Sequence, residues 1–257
     1  MAEVEITVLG SGTSVGVPVI GCDCDICYEP KPKNIRTRCC LQVKFPDNRI
    51  AIFDTPPDFR TQILKAKTKS IDAVLYTHTH ADHTHGFDDL RAFYFQNRQP
   101  VPCWITKDHA IDLTQRFQYA FQDTGYAGSP PQVTLNTITS HFNLFGYEVE
   151  TFQLPHGAGT TTAFRIGQFA YATDFQHMPD HVKDAWRGKI HTMVASGIGW
   201  KPHATHSSVR ETEALFEELG VEHGIIHHLS HTVDYYKHTL KTGYEFAFDN
   251  MNFKASV

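Results

Sequence analysis

The sequence has no long apolar run, and its first residues lack the features of a secretion signal. No segment approaches the eighteen or so consecutive apolar residues that a membrane-spanning helix needs. The opening residues, MAEVEITVLG, have neither a basic start nor an apolar signal region. These absences predict a cytoplasmic protein without a membrane partner.

The sequence also has no excess of positive charge. It carries 23 Lys and Arg residues against 28 Asp and Glu residues, which gives a formal net charge of -5. Proteins that bind nucleic acid without regard to sequence need a basic surface that attracts phosphates. The charge balance therefore favours a small substrate and argues against a large nucleic acid as partner.

Repeats, low-complexity segments and changes in composition along the chain are missing as well. With 257 residues, of which 41% are hydrophobic, the chain is long enough to bury a large core. We therefore expect a single domain over residues 1–257, built from two similar layered halves. The oligomeric state stays open, and a homodimer is one of the states that the sequence allows.

Alternating strand and helix patterns predict an α/β fold. One helix is expected from Pro57 with Leu64 on its apolar face, and another over residues 109–123 with Ile111 in the core. A third is expected over residues 209–219, closed by a glycine. The tail over residues 246–253 is expected to form a small hairpin.

Histidine is unusually abundant, with 17 residues, although imidazole is only occasionally fully buried in a core. The richest stretch, THTHADHTHG, begins at residue 77, where an apolar strand is predicted to end. Residues two apart in an extended segment point the same way, so His78 and His80 can share one cation. Asp82 and His83 on the following turn can address a second. A solvated loop that is rich in histidine by accident is the alternative.

Further ligands are expected at other strand ends, because one stretch cannot complete two metal sites. His156, Asp174 and the pair His227 and His228 each follow a short apolar run. Strand ends are where α/β folds build their sites. Each residue alone could simply be a polar residue that ends a strand, but their shared position favours metal binding.

A cluster of soft ligands lies in the loop at about residues 20–38. Cys22, Cys24 and Cys27 offer three thiolates within six positions, which suits tetrahedral zinc and leaves one ligand to come from elsewhere. The short spacing and a reducing compartment disfavour a disulfide between Cys22 and Cys24. Separate burial of the three thiols is the alternative.

Residues 202–208, PHATHSS, contain a candidate substrate contact. Ser208 and Glu211 have the spacing of a capping box, which predicts a helix that starts near residue 209. His206 would then lie beside the positive end of this helix, a place suited to a phosphate oxygen. His203 is the rival for this role, and a surface histidine near a cap is the alternative.

The type and spacing of the histidines and aspartate at 78–83 resemble the signature of the metallo-β-lactamase superfamily, and the resemblance extends over nearly the whole chain. It implies an αβ/βα sandwich of two mixed sheets flanked by helices. It also implies the ligands of two metals: His78, His80 and His156 for the first, Asp82, His83 and His228 for the second, and Asp174 as the bridging carboxylate. The choice of His228 over His227 comes from the family pattern, because neighbours in a strand point to opposite sides.

Within that superfamily, the Cys-x-Cys-x2-Cys insertion resembles the phosphoribosyl cyclic phosphodiesterases of carbon-phosphorus lyase pathways. That family implies His231 as the fourth ligand of a structural zinc, together with Cys22, Cys24 and Cys27. It also implies a catalytic histidine in the stretch that contains His206. The implied cofactors are one structural Zn and two divalent ions in the active site, Zn or Mn, although iron and nickel accept the same ligands.

Together these features predict a metal-dependent phosphodiesterase that acts on small cyclic phosphates or nucleotide-like diesters. Two divalent ions about 3.5 to 4 Å apart acidify a water between them, and the bridging hydroxide is the expected nucleophile. Asp82 and His206 are the predicted catalytic residues, with His206 stabilising developing charge or protonating the leaving alkoxide.

Three alternatives are weighed against this prediction. Ribonuclease Z shares the metal site but calls for a basic surface or protruding arm, which this sequence lacks. The pyrroloquinoline quinone biosynthesis protein also carries a Cys-x-Cys-x2-Cys loop, although its active-site ligands depart further from the full set present here. A non-catalytic zinc- or nucleotide-binding protein is the third, and the complete set of seven ligands argues against it.

Overall fold

Two β-sheets of seven strands each pack face to face in the computed structural model, which describes residues 2–122 and 129–257. The strands in chain order are β1 (Glu3–Gly10), β2 (Cys40–Lys44), β3 (Ile50–Phe53), β4 (Ala73–Leu75), β5 (Val101–Ile105), β6 (Val133–Thr137), β7 (His141–Leu144), β8 (Tyr147–His156), β9 (Gly159–Ile166), β10 (Phe169–Ala172), β11 (Thr192–Ser196), β12 (His223–His227), β13 (Tyr244–Phe246) and β14 (Met251–Ser256). The first sheet has the order β14-β1-β2-β3-β4-β5-β6, and the second has the order β13-β12-β11-β10-β9-β8-β7.

Each sheet has an antiparallel half and a parallel half. Strands β3 to β6 run parallel in the first sheet, and strands β10 to β13 run parallel in the second. The carboxyl ends of parallel strands meet at one edge of a sheet, where α/β folds place their sites. The residues that follow β3, β4, β10 and β12 therefore lie along the edges that the two parallel halves present.

The core between the sheets fixes how these edges face each other. β3 is apolar and buried along its whole length, as expected for a strand covered on both faces. The Phe53 ring, at its end, packs edge-on against Phe164 and Tyr171 of the second sheet, with centroids 5.2 and 5.1 Å apart. Burial of one such aromatic side chain contributes roughly 1.5–3 kcal/mol, so these contacts hold the two edges together.

Helices cover the outer faces of both sheets. They are α1 (Asp25–Tyr28), α2 (Phe59–Ala66), α3 (Ala81–Thr84), α4 (Arg91–Asn97), α5 (Lys107–Arg116), α6 (Gln118–Phe121), α7 (Asp180–Trp186) and α8 (Val209–Leu219), with 3₁₀ turns at Pro32–Asn34 and Phe87–Leu90. Helix α8 starts with the expected capping box of Ser208 and Glu211 and ends at Gly220, whose φ of 74° favours glycine. In residues 2–122 and 129–257, no helix has the length and apolar character needed to cross a membrane.

The expected α/β sandwich of two mixed, helix-flanked sheets is confirmed, but two helix predictions are partly wrong. Leu64 and Ile111 were expected on apolar faces and are 61% and 52% exposed. The helix expected over 109–123 breaks at Phe117 into α5 and α6, because the turn lets the Phe117 ring pack on Phe87 at 4.7 Å. Residue 123, the predicted end of this helix, lies outside the described residues.

The predicted hairpin at residues 246–253 is wrong. β13 pairs with β12 in the second sheet, whereas β14 pairs with β1 in the first. Each strand completes the edge of a different sheet, so the segment between them crosses from one layer to the other.

Candidate metal centre

The histidine-rich stretch follows β4 directly and changes conformation halfway along. His80 is extended, with φ of -60° and ψ of 155°, and serves as the N-cap of α3. The extended part directs His78 and His80 to one side, and the turn of α3 then directs Asp82 and His83 to the neighbouring position. One short segment thus supplies donors to two adjacent groups.

The first group consists of His78, His80 and His156, whose donor atoms lie within 4.8 Å of one another. His156 ends β8 on the second sheet, and its Nε2 is 3.1 Å from His80 Nδ1. The buried Nε2 of His78 has no hydrogen-bond partner among the described residues. Buried polar atoms without partners are rare, so these nitrogens fit a shared cation.

The second group consists of Asp82, His83, Asp174 and His228, all buried, with donor atoms again within 4.8 Å. His83 Nε2 is 3.3 Å from Asp174 Oδ2 and 3.4 Å from Asp82 Oδ2. His228 Nε2 is 3.0 Å from Asp174 Oδ1. This group brings together residues from three separate strand ends.

Asp174 joins the two groups. Its Oδ2 lies 3.3 Å from His83 Nε2 in the second group and 3.9 Å from both His78 Nε2 and His156 Nε2 in the first. A carboxylate at that distance from both groups can bind two cations at once. The structure therefore places Asp174 where the resemblance implies a bridging ligand.

Sharp turns at the strand ends direct these side chains into the cleft. Asp174 lies two residues beyond the end of β10, His228 immediately follows the last residue of β12, and both have a φ of 55°. Asp54, directly after β3, has φ of 66°. Left-handed backbone is costly for residues other than glycine, and such strain concentrates at functional sites.

The electrostatics of the second group call for positive charge. Burial opposes ionisation of Asp174, yet His228 and His83 keep its pKa well below the usual range. Burial likewise disfavours a charged His83, but Asp174, Asp82 and Asp54 raise the pKa of this imidazole well above its usual value. Two buried carboxylates beside two imidazoles are a donor set that divalent zinc, manganese or iron accepts. The residues present therefore fit a pair of divalent ions.

Asp54 supports this site, although it is not among the residues predicted from the sequence. Its Oδ2 lies 2.7 Å from His83 Nδ1 and also accepts the hydroxyl of Thr77 at 2.8 Å. A carboxylate behind an imidazole fixes the orientation and tautomer of a metal-binding histidine. Asp54 follows an apolar strand, the same signal that selected Asp174, so the pattern could have identified it.

His206 lies at the edge of the cleft, and His203 lies further out. The His206 ring stacks on His228 at 5.0 Å, and its Nδ1 is 4.0 Å from Asp174 Oδ2. His203 is exposed, and it contacts Thr205 and the His206 ring. Burial, together with the nearby His228, lowers the pKa of His206 to about 3. Of the two candidates, His206 is the one that the structure places against the donors.

His227 and His228 point to opposite sides, as neighbours in a strand should. His228 joins the second group, whereas buried His227 lies 3.3 Å from the Cys39 thiol and packs against the Tyr171 ring.

The cysteine loop forms a separate group with His231. His231 Nδ1 lies 3.2, 3.4 and 3.5 Å from the thiols of Cys22, Cys24 and Cys27. Burial tends to raise the pKa of Cys24, but hydrogen bonds from Cys27, Cys22 and His231 bring it down to about 7. Three sulfurs and one imidazole nitrogen that converge in this way fit tetrahedral zinc.

The two donor groups open into a cavity of about 430 Å³. His78, His80, Asp82 and Asp174 line it, and α5 contributes His109, Asp112 and Arg116. Such a volume lies within the range of small-molecule sites. The cavity can therefore bring a small substrate to both donor groups.

Comparisons with known proteins agree with this geometry. A family model described as the β-lactamase superfamily domain matches residues 49–229, which contain all seven donors of the two groups. An octanoyltransferase of Porphyromonas gingivalis is 30% identical over 226 residues, covering 87% of this chain but 45% of that protein. The chain thus spans less than half the length of this curated relative.

Two solved structures are similar over nearly the whole chain. A crystal structure of a new diphosphatase from the PhnP family is 33% identical, covers 98% of this chain and 97% of that chain, and has a TM-score of 0.90. Zn²⁺-bound PqqB from Methylobacterium extorquens is 17% identical over 97% of this chain and 99% of that chain, with a TM-score of 0.76. The second likeness shows the fold alone.

Proposed function

Because the chain belongs to the β-lactamase superfamily, we propose that it is a metal-dependent hydrolase that cleaves small phosphodiesters. Superfamily membership and the donor groups support the hydrolase, and the likeness to a PhnP-family diphosphatase supports phosphate esters as substrates. The observation that carries the proposal is the position of Asp174. It belongs to the second donor group, and its Oδ2 also lies 3.9 Å from His78 Nε2 of the first.

We assign His78, His80 and His156 to one metal and Asp82, His83 and His228 to the other, with Asp174 shared between them. When bound, two divalent ions supply Lewis acidity, which acidifies a water and neutralises charge on phosphoryl oxygens. The chain's own contribution is to hold seven donors in place. Asp54 orients His83, and the Thr205 carbonyl, 3.1 Å from His156 Nδ1, orients His156.

Asp82 and His206 are proposed as the residues closest to the chemistry. Asp82 lines the cavity and keeps a lowered pKa despite burial, because His83 and His228 favour its ionised form. His206 is neutral near pH 7, so it can donate an N–H to a developing oxyanion. Donors that are already in place before the reaction stabilise developing charge effectively in a site from which water is excluded.

The proposal is tested with bis(p-nitrophenyl) phosphate and protein treated with EDTA. We expect no turnover after chelation and recovery on addition of Zn²⁺ or Mn²⁺. Asp82→Ala should lose activity by roughly 10²–10³-fold or more, since a ligand and a charge are both removed. Asp180→Ala, at an exposed position on α7, is the matched control and should retain activity. Full turnover without metal would overturn the assignment.

The loop group is proposed as a structural zinc site. Its donors are separate from the cavity, and they connect the loop after β1 to the segment that follows β12. A site with four protein ligands has no open position for a substrate, as in other structural zinc sites.

The functions of two similar proteins do not extend to this chain. PqqB shares the fold, but at 17% identity its function does not extend to this chain. The octanoyltransferase name belongs to a protein more than twice as long as the matched segment, so it supports no acyl transfer here. A hydrolase that uses all seven donors remains the function that the geometry favours.

A further inference from the structure

A second cavity of about 550 Å³ adjoins the one that contains the metal donors. The two share His109 of α5 and Thr160 at the start of β9 as lining residues. The second cavity lies where β5 and β6 end, and these strands run parallel to β4. The cleft therefore continues along the same sheet edge that carries the metal donors.

The two cavities differ in charge. The first is lined by Asp82, Asp112, Asp174 and Arg116 besides its histidines. Among described residues, the charged groups of the second are Lys107 and Asp108, one of each sign. The second cavity therefore has no net charge with which to select an ionic group.

Three hydroxyl groups of its lining are arranged as hydrogen-bond acceptors. Thr139 Oγ1 donates to the His141 carbonyl at 2.6 Å, Thr151 Oγ1 donates to the Thr139 carbonyl at 2.7 Å, and Thr160 Oγ1 donates to Gln153 Oε1 at 3.1 Å. A hydroxyl whose hydrogen already takes part in a hydrogen bond offers only its lone pairs to a ligand. These three hydroxyls favour a ligand group that brings O–H or N–H donors.

We propose that the second cavity binds an uncharged, donor-bearing group of the substrate, such as the sugar and base of a nucleoside. The proposal rests on the proposed function, because the diester would react in the first cavity while its nucleoside occupies the second. Thr139 and Thr160 are assigned as specificity residues on this basis.

The test compares two diesters with the same leaving group, thymidine 5′-(p-nitrophenyl phosphate) and methyl p-nitrophenyl phosphate. We expect kcat/KM to be about 10-fold or more higher for the nucleoside ester, as a few hydrogen bonds would give. The double variant Thr139→Val, Thr160→Val keeps the side-chain shape and should bring the ratio of the two values close to one. Thr134→Val, an exposed β6 position that lines neither cavity, is the matched control.

Binding gives a readout that is independent of turnover. Calorimetry should show that thymidine binds to the metal-loaded protein and that the double variant weakens this binding. If neither ester is hydrolysed but thymidine still binds through these residues, the proposed function is wrong, and the assignment of the second cavity as a nucleoside site is retained. An unchanged ester ratio in the double variant would overturn the assigned ligand class.

Discussion

The two candidate metal sites of this chain are built in opposite ways. The donors near Asp174 are buried, come from the ends of strands in both sheets, and are held by groups behind them such as Asp54. The cysteine group lies on a loop, with Cys24 exposed and Cys22 partly exposed. The first set of donors is positioned by the fold. The second set lies at the tip of a loop that contacts the segment after β12 through His231 and through hydrogen bonds such as that from Asn34 Nδ2 to Asp234 Oδ1 at 2.9 Å.

This difference predicts different consequences of metal binding. A site that the fold preforms should lose chemistry and keep its structure when its metal is removed. A site at the tip of a loop should lose local structure, because the ion itself supplies part of the tertiary contact there. The two metal sites should differ most in how their loss affects catalytic activity.

Asp174→Ala should lower kcat/KM for a diester by roughly 10³-fold or more, because one carboxylate serves both donor groups. Cys24→Ala should leave kcat/KM within about threefold, since a structural ion contributes folding energy rather than catalysis. Steady-state kinetics on both variants, with circular dichroism to confirm folding, makes the comparison. Comparable losses in the two variants would break the division between the sites.

His231→Ala should remove the loop zinc without emptying the other site. Metal analysis should show about one equivalent lost, and limited proteolysis within residues 20–38 should become about 10-fold faster or more, because the loop opens more often. His141→Ala, an exposed histidine on β7, is the matched control. Unchanged metal content and unchanged cleavage in His231→Ala would contradict the structural role.

The sequence predicts the two sites unequally well, for physical reasons. Strand ends and short spacings are local, so they indicated His78, His80 and Asp174 as well as the cysteines. The α/β class followed from the alternation of strands and helices, the sandwich of two mixed sheets came from the resemblance to the superfamily, and both are confirmed. Asp54 also follows an apolar strand, but its position behind His83 depends on how β3 pairs with β4, a non-local contact that periodicity cannot show.

The errors have the same origin. The Ile111 prediction failed because helical periodicity cannot tell which face of α5 meets the sheet. The tail hairpin failed because β13 and β14 are adjacent in sequence, whereas the free edges that they complete belong to different sheets. Local patterns thus identify candidate donors, and the pairing of strands decides what stands behind them.

Asp54→Asn tests whether the fold preforms the site around Asp174. The amide keeps the size of the carboxylate but removes the charge that holds His83, so metal affinity should fall by about 10–100-fold. A competition titration with a chelator measures the affinity, and Asp47→Asn, at an exposed ion pair with Arg49, is the control. Affinity equal to that of the control would show that the fold does not position this donor through Asp54.

The smallest expected effect concerns the base of the cysteine loop, which the protein holds without an ion. Asp249 accepts hydrogen bonds from Ser11 Oγ at 2.8 Å and Thr37 Oγ1 at 2.6 Å, so it ties both ends of the loop to the segment between β13 and β14. Ser11→Ala should lower the free energy of unfolding by about 1–2 kcal/mol, the cost of losing one buried hydrogen bond to a charged group.

Denaturant unfolding measures this cost, with the exposed Ser129→Ala as control. If Ser11→Ala retains the loop zinc, the base and tip of the loop are held independently, and the ion is needed only at the tip. If the zinc is lost as well, the hydrogen bonds at the base help to position the thiolates. The cysteine site would then be partly preformed by the fold, as the site around Asp174 is.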